Sequence, residues 1–113
     1  MNRIDFDNLH RINKVVEFIK NNYSENHAIE YYANICNMER KYFITIFRQC
    51  VGVSPQRFRT NLRIEEAKKL LLNTDMNNQN IANAVGYSDP LYFSRVFKKY
   101  TGISPRFFRK KNI

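Results

Sequence analysis

Tyr42-Phe43-Ile44-Thr45-Ile46-Phe47-Arg48 runs on through Gly52-Val53-Ser54-Pro55 to Phe58-Arg59. Fifty residues later the chain reads Tyr92-Phe93-Ser94-Arg95-Val96-Phe97-Lys98, then Gly102-Ile103-Ser104-Pro105 and Phe108-Arg109. Eight of the 18 aligned positions are identical, and Ile46/Val96, Arg48/Lys98 and Val53/Ile103 are close substitutions. Upstream the match loosens, with Ala33 answering Ala82 after a one-residue difference in length. Such self-similarity at a fixed period marks a duplicated structural unit. The fold has to be read as two copies of one motif.

Both copies share a helical grammar. In the first, Phe43, Ile46, Phe47 and Cys50 fall on one side of a helix at about 100° per residue, predicting a helix over 39–50. Gly52 suits the left-handed residue after a helix end. Ser54-Pro55 pairs an N-cap with a proline at the first helical position, predicting a restart that runs to Asn73. Asp89-Pro90 and Ser104-Pro105 repeat that start signal, and Gly86 and Gly102 repeat the stop. Short helices are predicted at 28–35, with Ile29, Tyr32 and Ala33 inward, and at 78–85. A first helix is marked by Ile12, Val15, Val16 and Ile19 at i, i+3, i+4 and i+7, ending near Asn21-Asn22. No strand-like alternation occurs, so the expected fold class is all-α.

The 55–73 helix is irregular. Phe58 and Leu62 lie on one side, whereas Ile64, Ala67, Leu70 and Leu71 lie on another, and Leu72 fits neither stripe. A helix on one core keeps one stripe; a helix joining two lobes changes sides. At 1.5 Å per residue it is about 27 Å long, enough to hold two lobes about one DNA turn apart. The expected organisation is a polar arm at 1–9, a first subdomain at 10–54, a linker helix at 55–73 and a second subdomain at 74–113.

Charge separates the ends of the chain. Of the net +9, residues 1–39 contribute −2 and residues 40–113 contribute +11. A basic surface of this kind is the electrostatic footprint of a polyanion, nucleic acid before anionic membrane. No apolar run approaches about 18 residues and no leader-like start occurs, so a soluble intracellular protein is expected. Cys36 and Cys50 have no CxxC spacing and no His pair nearby, which points to packing rather than metal, disulfide or nucleophile chemistry. His10 and His27 stand far apart, and adjacent Glu65-Glu66 suits surface ion pairs. No nucleophile, base or ligand cluster is present, so neither enzyme activity nor a cofactor is expected.

A short helix, a tight turn and a second helix of about twelve residues form a helix-turn-helix, whose second helix can enter the major groove. In the first copy Lys41, Ile44, Thr45 and Arg48 lie opposite the Phe43/Phe47 side. In the second, Leu91, Ser94, Arg95 and Lys98 lie opposite Phe93/Phe97. Cations, a small hydroxyl and an aliphatic group can contact guanine, other base edges and a thymine methyl. Some of the cations would hold phosphates instead. The alternatives are an RNA or general nucleoid binder using the same surface, and a module docking an acidic protein. Tyr31-Tyr32 and Phe107-Phe108 read as core or edge packing ahead of base-stacking platforms. Arg106, Arg109, Lys110 and Lys111 read equally as phosphate contacts or a frayed basic end.

These residues resemble the DNA-binding domain of the AraC/XylS family of bacterial transcription regulators. The resemblance rests on Ile81-Ala82, Val85-Gly86-Tyr87-Ser88-Asp89, Tyr92 through Lys99, Gly102, Ser104-Pro105 and Arg109, with Arg63, Ala67 and Leu70-Leu71 in support. It covers about residues 10–110. It implies seven helices, two helix-turn-helix units joined by the long helix, and insertion into successive major-groove segments of double-stranded DNA. It also implies activation through RNA polymerase, in the bacterial cytoplasm at the nucleoid. The family's recognition positions fall on Arg40, Lys41, Ile44, Thr45 and Arg48, and on Pro90, Leu91, Ser94, Arg95 and Lys98, with Lys99 beside them. Glu39 stands where the family's first unit has a serine cap, so that helix is expected to start differently or be capped by Asn37. No small-molecule site is expected in a chain of this size.

Overall fold

The computed structural model describes residues 5–112. They form α1 (Phe6–Asn21), α2 (Ile29–Ile35), α3 (Arg40–Val51), α4 (Pro55–Asn73), α5 (Asn78–Val85), α6 (Pro90–Thr101) and α7 (Pro105–Lys111). Among the described residues there is no strand, so the all-α reading stands. The chain divides between Thr60 and Asn61, inside α4, and each unit holds one copy of the repeat.

In the first unit, α1 begins earlier than its apolar pattern suggested. Asp5 caps it by accepting from the Asp7 N–H at 3.0 Å, and an Asp7–Arg11 pair at 3.1 Å supports the first turn. Residues 6–9 of the expected arm are therefore helical, while residues 1–4 lie outside the described residues. The periodic signal began only at Ile12, because the first turn is solvated. Ile12, Val15 and Ile19 of α1 are fully buried, with Tyr32, Phe43 and Phe47 from α2 and α3. Full burial of each such side chain stabilises the fold by roughly 1.5–3 kcal/mol. Phe58, at the start of α4, closes this core edge-on to Phe47 at 5.9 Å.

The second unit repeats the arrangement. Ile81, Ala82 and Val85 of α5 and Phe93 and Phe97 of α6 are completely or almost completely buried, with Ile64, Ala67 and Leu71 of α4. Phe108 of α7 meets Phe97 edge-on at 5.5 Å, as Phe58 meets Phe47. Arg63, buried in α4, lies over the Tyr87 ring at 5.0 Å. Leu72, which suited neither stripe, is 49% exposed.

Both helix-turn-helix turns close in the same way. The Met38 N–H donates to the Ala33 carbonyl at 3.0 Å, and the Tyr87 N–H donates to Ala82 at 2.8 Å. That long-range closure requires a left-handed residue just past the helix end. Gly86 fills the place at φ 114°, and Asn37 fills it in the first unit at φ 55°. Asparagine tolerates this region, but an ordinary Cβ meets the following carbonyl there, at about 1–2 kcal/mol. Asn37→Ala is therefore expected to lower stability by about 1 kcal/mol and Asn37→Gly to leave it within about 0.5 kcal/mol, measured by urea unfolding.

Candidate nucleic-acid interface

α3 and α6 start with different residues and arrive at the same form. Asp89 caps α6 by accepting from the Leu91 N–H at 2.9 Å, with Pro90 first in the helix. α3 is capped by Glu39, whose carboxylate accepts from the N–H groups of Lys41 at 2.9 Å and Tyr42 at 3.3 Å. The helix thus starts where it would with a serine cap, and Asn37 belongs to the turn. Those two bonds, Lys41 first, hold the Glu39 carboxyl below its ordinary value. The cap is at full strength above the ordinary glutamate range and is lost as pH falls through the lowered value.

From there the two helices match position by position. Phe43 and Phe47 in α3, like Phe93 and Phe97 in α6, are wholly buried. Lys41, Thr45 and Arg48 are exposed, as are Leu91, Arg95, Lys98 and Lys99. Ile44, Ser94 and Pro90 are half-buried at the edges of these faces, and Arg40 is exposed at the start of α3. Each unit therefore presents one face built from the residues that helical phase selected. Gly52 and Gly102, at φ 95° and 88°, end the two helices identically.

The electrostatics of these faces are specific. Among the described residues, Lys41, Arg48, Arg95, Lys98 and Lys99 take part in no ion pair, whereas Glu65 and Glu66 are paired with Lys68 and Lys69 at 3.0 and 3.5 Å. Arg40 is the exception, with its Nε 3.5 Å from Glu30 of α2. The two hydroxyls also differ. Thr45 donates to the Lys41 carbonyl at 3.1 Å, while Ser94 accepts from the Asn78 side-chain amide at 3.0 Å. Sequence reasoning missed Asn78, because position 78 carried only a helix start.

Arg109 does not belong to a frayed end. Its Nε donates to the Leu71 carbonyl at 2.9 Å, and its two terminal nitrogens donate to Met76 and Thr74 at 2.8 and 3.0 Å. It closes the C-terminus of α4 and the approach to α5. Arg59 has the corresponding task, donating to the His27 carbonyl and the Tyr32 hydroxyl at 2.9 and 3.0 Å. Their recurrence in the repeat was visible in the sequence, but the carbonyls they reach were not.

The remaining candidates sort by packing. Tyr32 is buried, whereas Tyr31 stacks on His27 at 4.1 Å, and Phe107 is exposed while Phe108 packs inward. Cys36 is buried and Cys50 half-buried, both as free thiols. Burial pushes the Cys36 thiol up to about 11, so it stays protonated and unreactive at neutral pH. Among the described residues no helix is long and apolar enough to cross a membrane, and no group of three or more His, Cys, Asp or Glu residues could hold a metal.

Residues 32–111 match the family model described as a helix-turn-helix domain. Over 100 residues the chain is 39% identical to the raffinose operon transcriptional regulatory protein of Pediococcus pentosaceus, covering 88% of this chain and 36% of that protein. The chain thus spans about a third of the length of the curated relatives it matches. Among solved structures it resembles the C-terminal domain of AraT, a response regulator from Geobacillus stearothermophilus, at TM-score 0.85 and 30% identity, covering 97% of this chain and 88% of that one. It also resembles the DNA-binding domain of the global transcriptional factor AdpA, solved with a target DNA, at TM-score 0.84 and 25% identity, covering 89% and 91%.

Proposed function

This chain belongs to the AraC/XylS-type helix-turn-helix family of transcription regulators, and from that premise we propose that it binds double-stranded DNA sequence-specifically through α3 and α6. The two helices enter successive major-groove segments, so a single chain reads an extended, asymmetric site. The observation that carries this reading is the matched pair of exposed faces, whose cations, apart from Arg40, hold no ion pair among the described residues. Arg40, Lys41, Ile44, Thr45 and Arg48 form one reading set. Pro90, Leu91, Ser94, Arg95 and Lys98 form the other, with Lys99 beside them on the phosphates. In this reading the chain acts by binding, without catalysis or a small-molecule ligand, at the nucleoid in the bacterial cytoplasm. It activates transcription through a contact with RNA polymerase.

Selection from a pool of random duplexes tests the reading. A bipartite motif is expected. Uniform, salt-sensitive retention of the whole pool would instead support a general polyanion binder.

The Glu30–Arg40 pair makes a second prediction. Both partners are exposed, so the pair contributes at most about 1 kcal/mol to stability. Glu30 also withholds Arg40 from phosphates or bases. Glu30→Gln is expected to raise duplex affinity about threefold at low salt, with little effect on unfolding, and to lose that gain as salt screens the charge. Fluorescence anisotropy across a salt series measures it.

A further inference from the structure

We propose that Asn78 is a positioning residue that fixes the Ser94 hydroxyl as a hydrogen-bond donor toward DNA, making this position select a base with an acceptor edge. The inference rests on the reading above, in which α6 enters the major groove.

Asn78 is the first residue of α5, and its Nδ2 lies 3.0 Å from Ser94 Oγ on α6. Among the described residues this amide is the hydrogen-bond partner of the Ser94 hydroxyl, and Asn78 Oδ1 is buried without a partner. Turning the amide over would bury the NH₂ group without a partner instead. An under-satisfied carbonyl oxygen is tolerated better than an orphaned N–H, so the nitrogen faces the serine. The amide then occupies one of the two lone pairs of Oγ and leaves the O–H, with one lone pair beside it, for groups outside the protein, which biases the serine toward donation.

The first unit does the opposite. The places of Asn78 and Ser94 are taken there by Ile29 and Ile44, an apolar pair that orients nothing. The nearby hydroxyl, Thr45, spends its O–H on the Lys41 carbonyl and presents lone pairs outward. The two faces therefore carry hydrogen-bonding hydroxyls of opposite polarity. In the major groove, guanine offers only the acceptors N7 and O6, and thymine offers O4. Cytosine presents an N4 donor, and adenine an N6 donor beside its N7. A serine held as a donor favours guanine or thymine over cytosine.

The test compares motifs selected from random duplexes by wild type, Asn78→Asp and Asn78→Ile. A carboxylate at position 78 only accepts, so it captures the Ser94 O–H and turns the serine lone pairs outward. Asn78→Asp is expected to shift one motif position about tenfold toward cytosine or adenine and leave the others unchanged. Asn78→Ile is expected to flatten the preference at that same position alone. A merely structural role for Asn78 would weaken binding across the whole motif. If the added charge in Asn78→Asp abolishes binding, Asn78→Ile still decides. Motifs identical at every position, or weakened uniformly, would overturn the proposal while leaving the reading of α6 intact. A wild-type pool with no motif would overturn both.

Discussion

Arg109→Ala is expected to destabilise the unit that begins at Asn61 by about 3 kcal/mol, although the side chain lies in a short terminal helix. The guanidinium donates to three carbonyls at 2.8 to 3.0 Å, two of them, Leu71 and Thr74, at the C-terminal end of α4. Terminal helix carbonyls lack intrahelical donors, and the helix dipole favours a cation beside them. A charge-assisted hydrogen bond is worth about 1.5–3 kcal/mol, but the three are coupled and water can reach these part-buried carbonyls, so their sum overstates the loss. Arg109→Lys is expected to recover less than half, since an ammonium cannot reproduce a planar fork reaching three acceptors. Arg59→Ala, which removes two bonds, is expected to cost about 1.5 kcal/mol. Urea unfolding followed by circular dichroism reads all three. A loss below about 1 kcal/mol for Arg109→Ala would contradict the role assigned to it.

Arg95→Ala is expected to weaken binding to the selected duplex about 30-fold, close to 2 kcal/mol, with unfolding unchanged. Arg95 is exposed on α6, opposite Phe93 and Phe97, and holds no ion pair among the described residues. Its removal therefore leaves no buried group unpaired. Its affinity for random duplex should fall only about threefold, because one cation less affects nonspecific binding through counterion release alone. Lys99→Ala should lower affinity by similar factors on both duplexes and reduce the salt slope by about one, as a phosphate contact does. Anisotropy titrations of selected and random duplex at several salt concentrations separate the two. Equal losses on both duplexes for Arg95→Ala would remove it from base readout.

The fold was legible because its signals are local and occur twice. Ser54-Pro55, Asp89-Pro90 and Ser104-Pro105 announce helix starts, and Gly52, Gly86 and Gly102 announce stops, at positions the structure reproduces. The outer faces were legible for the same reason, since helical phase follows from buried phenylalanines. What escaped depends on neighbours distant in sequence or on groups that sequence does not display. Arg109 is basic and near the end of the chain, so it read equally as a phosphate contact or a frayed end, but three backbone carbonyls of the α4–α5 junction accept its hydrogen bonds. Asn78 and Ser94 are 16 residues apart, and nothing in either sequence neighbourhood pairs them. Glu39 looked like a misplaced cap because carboxylates of that length cap less often; here the longer side chain reaches two N–H groups at once. The start of α1 was hidden because its first turn buries nothing.

The central claim is that one chain reads two unlike half-sites, one through each helix-turn-helix. The direct measurement is hydroxyl-radical footprinting of a selected duplex with wild type, with Lys41→Ala/Arg48→Ala and with Arg95→Ala/Lys98→Ala. Two protected segments are expected on one DNA face, about 10 base pairs apart. Each double variant is expected to lose a different segment. A single protected segment, or the same uniform fading of both segments with either variant, would rule out two separate half-sites.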